Sequence, residues 1–184
     1  MSGRKERTRE RLLKAALELF VENGYERTSA GQIAARAGVT EMTFFRHFPT
    51  KADVLVDDPY DPVIGEAIRK QPMELDPITR AARGVRSAWL ELPSPATDEV
   101  RIRLRIVAET PSLRASMVAG TAATEAVIAD ALVSGGTVRR TAVIAAGAVM
   151  GALNTALLAW SQTDSDDLGE AITTALDVLE ERRG

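Results

Sequence analysis

Residues 28–51, TSAGQIAARAGVTEMTFFRHFPTK, restrict the fold more than any other stretch of the chain. They hold two short helical patterns joined by a glycine. The first spans about residues 29–37 and the second about 40–48, where Pro49 ends it. Ser29 followed three residues later by Gln32 is a capping-box pair, and Thr40 is the cap residue of the second pattern. Gly38 suits the position after a helix, where a left-handed backbone costs glycine little. Ile33, Ala34, Ala37, Val39 and Phe44 are the apolar set, and the small alanines let two short helices cross closely. Thr43, Phe45, Arg46 and His47 then fall partly on the other faces of the second helix. A short helix presented by another in this way is a helix-turn-helix, the geometry that enters a DNA major groove.

A net charge of −3 looks wrong for that task, but its distribution removes the difficulty. Residues 1–51 hold ten Lys/Arg and six Glu, whereas the rest of the chain holds 13 basic and 20 acidic residues. A basic end on an acidic body orients the first toward phosphate and the second away from it. Arg4, Lys5, Arg7 and Arg9 form a basic lead-in. It reads equally as a solvated helix end or as a contact to DNA backbone or minor groove. With 184 residues, 45% of them hydrophobic, the chain suffices for one to two small domains with a real core. There is no cysteine, which excludes disulfides, thiolate metal sites and cysteine nucleophiles. A single histidine, His47, leaves no multi-histidine metal site, and neither metal nor cofactor is expected. The start, MSGRKERTRERL, lacks the apolar core of a signal peptide, so a cytoplasmic location is expected.

Taken in order, residues 4–23 read as a helix with Leu12, Leu13, Ala16, Leu19 and Phe20 at helical spacing. Arg7, Arg11, Lys14, Glu18 and Glu22 mark its opposite face. Thr50 with Asp53 caps a short piece over residues 51–56, which DDPYDP interrupts through Pro59 and Pro62, as a kink or a hinge. A second piece follows near residues 63–70 and a helix near 77–91. Residues 100–107 alternate like a strand but read as helix, because every neighbour is helical. Arg101, Arg103 and Arg105 then read as a solvated or salt-bridged face rather than an anion site. Residues 111–133 make a long helix closed by Gly135-Gly136. Residues 141–163 carry no charge. Their Ala, Gly and Thr content fits a buried bundle helix better than a membrane span, and Asn154 needs a partner there. The last helix, about residues 167–183, is amphipathic and capped by Asp167 and Glu170.

The order Ile33-Ala34-x-x-Ala37-Gly38-Val39-Thr40, then Thr43-Phe44-Phe45-Arg46-His47-Phe48-Pro49-x-Lys51, resembles the DNA-binding domain of TetR-family transcriptional regulators. The match covers about residues 11–55. It implies an all-α fold of about nine helices. A three-helix DNA-binding domain over residues 1–50 precedes a helical effector-binding and dimerisation domain over residues 51–184. The implied protein is a ligand-responsive repressor that binds a near-palindromic operator in double-stranded DNA as a homodimer. Its last two helices, about residues 138–183, pair with their copies.

Thr40, Glu41, Met42 and Thr43 open the recognition helix and are candidates for base edges. Arg46 suits guanine or phosphate. His47 and Lys51 match phosphate-contact positions, and Thr28 and Ser29 stand at a helix start that favours phosphate. On that reading Lys51→Ala weakens all DNA alike and flattens the salt dependence by about one unit. Phe45 stands where the family usually has tyrosine, so the ring is kept and a phosphate hydrogen bond is lost. Trp89, Met117, Leu153, Leu157 and Trp160 are the candidate lining of a pocket for an apolar or aromatic small-molecule effector. No phosphate loop or paired-carboxylate signature points to an enzyme. The alternative is a helical dimeric ligand- or protein-interaction module without DNA binding, which Phe45 and the acidic body favour.

Overall fold

Helical spacing and capping residues give helices throughout the described part of the chain, residues 2–56, 61–91, 97–163 and 167–180 of a computed structural model. Among the described residues the helices are α1 (Ser2–Asn23), α2 (Ala30–Arg36), α3 (Glu41–His47), α4 (Asp53–Val56), α5 (Asp61–Arg69), α6 (Pro77–Glu91), α7 (Thr97–Glu109), α8 (Pro111–Ser134), α9 (Arg139–Ser161) and α10 (Leu168–Glu180). No strand occurs among the described residues, so the all-α expectation holds. The alternating run at residues 100–107 lies inside α7. Of the interruption expected at Pro59 and Pro62, residues 57–60 lie outside the described ones, between α4 and α5, whereas Pro62 stands in the first turn of α5. Residues 181–183, the expected end of the last helix, also lie outside the described ones.

Backbone proximity divides the chain into two compact units. One is Met1–Asp57 with Ile102–Met117, and the other is Asp58–Arg101 with Val118–Gly184.

In the first unit, Leu12, Ala16, Leu19 and Phe20 of α1 are buried, as are Ile33 and Ala34 of α2, Phe44 of α3, and Phe48. Val54, Leu55, Val107 and Leu113 extend this core. Phe44 and Phe48 meet with ring centroids 5.8 Å apart. Arg103 donates to the Leu55 carbonyl at 3.0 Å, and the Ser112 hydroxyl meets a Glu26 carboxylate oxygen at 2.7 Å. The α7–α8 corner is thereby tied to α4 and to the loop before α2.

In the second unit, α6 packs on α5, α9 and α10, and α9 packs on α10. Asp76 caps α6 by accepting from Ile78 and Thr79, each at 3.2 Å, just before the helix-compatible Pro77. Gly84 lets α5 and α6 touch: a Cβ there would stand 2.7 Å from the Ile68 Cα. Arg86 bridges α6 to α10 through Asp177 at 2.6 Å and Glu180 at 2.9 Å. Helix α9 is long and apolar enough to cross a membrane by length and composition. Its Ala142, Ala145, Ala146, Val149, Leu153 and Trp160 are nevertheless buried, and the helix packs within this bundle. Asn154 finds its partner in Thr121, donating to the hydroxyl oxygen at 3.1 Å.

Candidate nucleic-acid interface

The caps read from the sequence form as expected. The Ser29 hydroxyl accepts from the Gln32 N–H at 3.2 Å, and the Gln32 side chain accepts from the Ser29 N–H at 2.8 Å. Together they complete the capping box of α2. Thr40 caps α3 by accepting from the Thr43 N–H at 3.2 Å, and the two threonine hydroxyls meet at 2.9 Å. Between the helices Gly38 adopts φ +67°, and the Val39 N–H returns to the Ala34 carbonyl at 2.9 Å. Arg11 of α1 donates to the Ala37 carbonyl at this turn. Arg36 of α2 pairs with Glu18 and Glu22 of α1, at 3.4 and 2.9 Å.

Helix α3 therefore rests on a buried Phe44 and presents its other faces. Glu41, Met42, Phe45 and Arg46 are exposed, Met42 by 83%, while Thr43 and His47 are half-buried. Phe45 stands edge-on to Phe44 with centroids 5.4 Å apart and remains 45% exposed. The carboxylate of Glu41 lies beside the start of α2, where a Cβ on Gly31 would meet it at 3.3 Å. The Nδ1 of His47 is buried with no hydrogen-bond partner among the described residues. Burial, then Arg46, Lys5 and Arg9, hold the His47 ring below its usual 6.5. Arg9 lies over the Phe48 ring, 4.8 Å from its centroid. Exposed Arg4, Lys5 and Arg7 continue the basic lead-in on α1.

Two of the candidate residues turn inward. Thr28 is buried, and its hydroxyl lies 3.0 Å from the Gly24 carbonyl and 3.3 Å from that of Leu19. The Lys51 ammonium donates to the Tyr25 and Thr28 carbonyls at 2.8 and 2.9 Å and sits 3.9 Å from the centroid of the Tyr25 ring. Burial pulls its pKa below the ordinary lysine value. Ser29 is exposed.

The candidate effector residues divide between the units: Met117 belongs to the first, and Trp89, Leu153, Leu157 and Trp160 to the second. Leu153 and Trp160 are buried, while Trp89, Met117 and Leu157 are half-buried. The Trp160 indole N–H has no acceptor among the described residues, and Arg101 lies over its ring at 4.4 Å. Arg101 also donates to the Thr163 carbonyl at 2.7 Å. Arg101 departs from the solvated or salt-bridged face expected of these arginines: it is only 9% exposed, and the α9 end offers it a ring and a carbonyl. Arg11, Tyr25 and Arg101 were not singled out for these contacts by the sequence. No spacing rule relates them to partners so distant along the chain.

Residues 12–57 match the family model for bacterial regulatory proteins of the tetR family, and residues 75–184 match that for the MftR C-terminal domain. Over 118 residues the chain is 37% identical to the HTH-type transcriptional regulator TcmR of Streptomyces glaucescens, covering 59% of this chain and 51% of that one. The chain spans about half the length of the curated relatives it matches. Among solved structures, the SmeT–triclosan complex aligns with a TM-score of 0.59 at 26% identity, over 95% of this chain and 90% of that one. SmeT is the repressor of the Stenotrophomonas maltophilia multidrug efflux pump SmeDEF. NalD, the secondary repressor of the MexAB-OprM multidrug efflux pump in Pseudomonas aeruginosa, aligns with a TM-score of 0.53 at 25% identity, over 95% and 96% of the two chains.

Proposed function

The chain belongs to the TetR family of bacterial regulatory proteins, and from that premise we propose that it is a ligand-responsive transcriptional repressor that binds a near-palindromic operator as a homodimer in the cytoplasm. The observation that carries this reading is α3, a capped helix seated on buried Phe44 that leaves Met42, Phe45 and Arg46 exposed and Thr43 and His47 half-exposed. Exposed polar and apolar groups on one short helix are what base-edge recognition requires. Thr40, Glu41, Met42 and Thr43 face the bases in this reading. Arg46 takes guanine or phosphate, His47 and the segment from Thr28 to Ser29 approach the backbone, and Phe45 contributes its ring alone. Residues 1–50 form the DNA-binding part and residues 51–184 the effector-binding and dimerisation part.

The dimer forms through α9 and α10. Both leave apolar side chains in water, with Ile144 64% and Val178 59% exposed. A Cβ at Gly147 or Gly151 would meet nothing within 4 Å, which leaves room for the partner helix to approach. A twofold dimer sets two recognition helices roughly 34–36 Å apart, one DNA turn. The effector is apolar or aromatic and lies among Trp89, Leu153, Leu157 and Trp160 of the second unit. Triclosan in the SmeT complex is a ligand of that kind.

Selection of bound sequences from a random duplex pool, at low and moderate salt, tests the reading. Recovery of a near-palindrome is the expected result. Retention without sequence preference would leave only the electrostatic attraction, and no retention would favour the interaction module that lacks DNA binding.

A further inference from the structure

The position of the Lys51 ammonium points to a role different from phosphate contact. An ammonium has three N–H donors. Two are spent on the Tyr25 and Thr28 carbonyls, at 2.8 and 2.9 Å, and the face of the Tyr25 ring covers the same charge at 3.9 Å. These are charge-assisted bonds of good length. The two carbonyls belong to the loop that delivers the chain into α2, whereas Lys51 follows α3 by four positions. One amine therefore joins the segment leaving the recognition helix to the segment entering the helix before it. The loop is held independently at its other contacts: the buried Thr28 hydroxyl lies against the Gly24 and Leu19 carbonyls, and Tyr25 packs on Phe20 with centroids 5.1 Å apart. At the opposite end of α2, Arg11 donates to the Ala37 carbonyl. Helix α2 is thus held at both ends by cations whose donors are directed at backbone carbonyls.

We propose that Lys51 is a positioning residue for operator recognition: it closes the helix-turn-helix on itself and sets how α3 meets the bases, and it does not neutralise a DNA phosphate. This rests on the DNA-binding reading above. The two roles differ in what they do to the salt dependence. A cation that neutralises a phosphate adds about 0.9 to the slope of log affinity against log salt. A positioning cation adds nothing to that slope, but its loss blurs the placement of α3, so specific binding suffers more than non-specific binding.

The experiment measures binding of the full-length protein to the selected operator and to a random duplex across a salt series, for wild type, Lys51→Met, Lys51→Gln and Arg46→Ala. Circular dichroism and the dimer state serve as controls. The expected result for Lys51→Met is an affinity for the operator about tenfold lower, an unchanged slope, and less than about a twofold change on random duplex. Lys51→Gln is uncharged yet keeps amide donors for the two carbonyls, so it restores most of the operator affinity at the wild-type slope. If Lys51→Met fails to fold, the slope of Lys51→Gln decides alone. A slope lower by about 0.9 in either variant, with operator and random duplex weakened alike, overturns the proposal while leaving the DNA-binding reading intact. If wild-type protein binds no duplex with preference, that reading and this proposal fall together.

Discussion

His47 carries its own proton balance into the interface. Burial and the neighbouring Arg46, Lys5 and Arg9 disfavour its charged form, so in the free protein it is neutral near pH 7. In the proposed interface a phosphate beside the ring would reverse that preference, and binding would then take up a proton. Operator affinity therefore rises by about threefold to tenfold as pH falls from about 7.5 to about 5.5, and His47→Gln removes the rise. Stability runs the other way. The unfolded chain takes the proton first, at its usual 6.5, so the fold loses stability as pH drops through that value. The loss stops growing below the depressed folded value. Titrating binding by anisotropy and stability by urea melts, each against pH, checks both signs. Gly38 offers a second test. At φ +67° a side chain is strained, and Arg11 lies 3.1 Å from where a Cβ would stand. Gly38→Ala should cost about 1–2 kcal/mol of stability in denaturant melts.

At the scale of elements, the contact of α5 with α6 is a tight constraint. A Cβ on Gly84 would stand 2.4 Å from Ile68 Cγ1, and the backbone of Ile68 cannot move aside without shifting α5. Gly84→Ala should destabilise the protein by about 2–3 kcal/mol, read as a lower urea midpoint at an unchanged slope. Element boundaries were the most legible part of the sequence. Ser29 and Thr40 stand at the starts of α2 and α3, and Asp167 at that of α10, because capping needs only a side chain and an N–H two or three residues on. Helix α7 was legible as a helix, but its partners were not. Its arginines follow helical spacing, but spacing does not say that Arg101 meets Trp160 or that Arg103 meets Leu55.

At the scale of the whole molecule, the proposed dimer can be tested. Ile144 on α9 is exposed although its neighbours Ala145 and Ala146 are buried, which is the pattern of a helix shared between an internal core and a partner. Ile144→Glu should weaken the proposed dimer by about 2–4 kcal/mol, seen as monomer in sedimentation at micromolar protein. The monomer keeps its far-ultraviolet spectrum but loses the cooperative hold on two half-sites. If Ile144→Glu stays dimeric, α9 is not the pairing surface.

By itself the sequence determined the helices, their caps and the helix-turn-helix, together with the basic end that accompanies it. Each of these depends on residues three or four positions apart, and local spacing is what a sequence displays. The tertiary structure alone decided where the long cations turn. Lys51 reaches the Thr28 carbonyl 23 positions away, Arg80 is buried against the Gly135 carbonyl 55 positions away, and Arg101 meets the Thr163 carbonyl 62 positions away. A lysine or arginine in a polar stripe reads as solvated. It turns inward only where folding brings a carbonyl or a ring within reach, because a buried charge without such partners is too costly to keep.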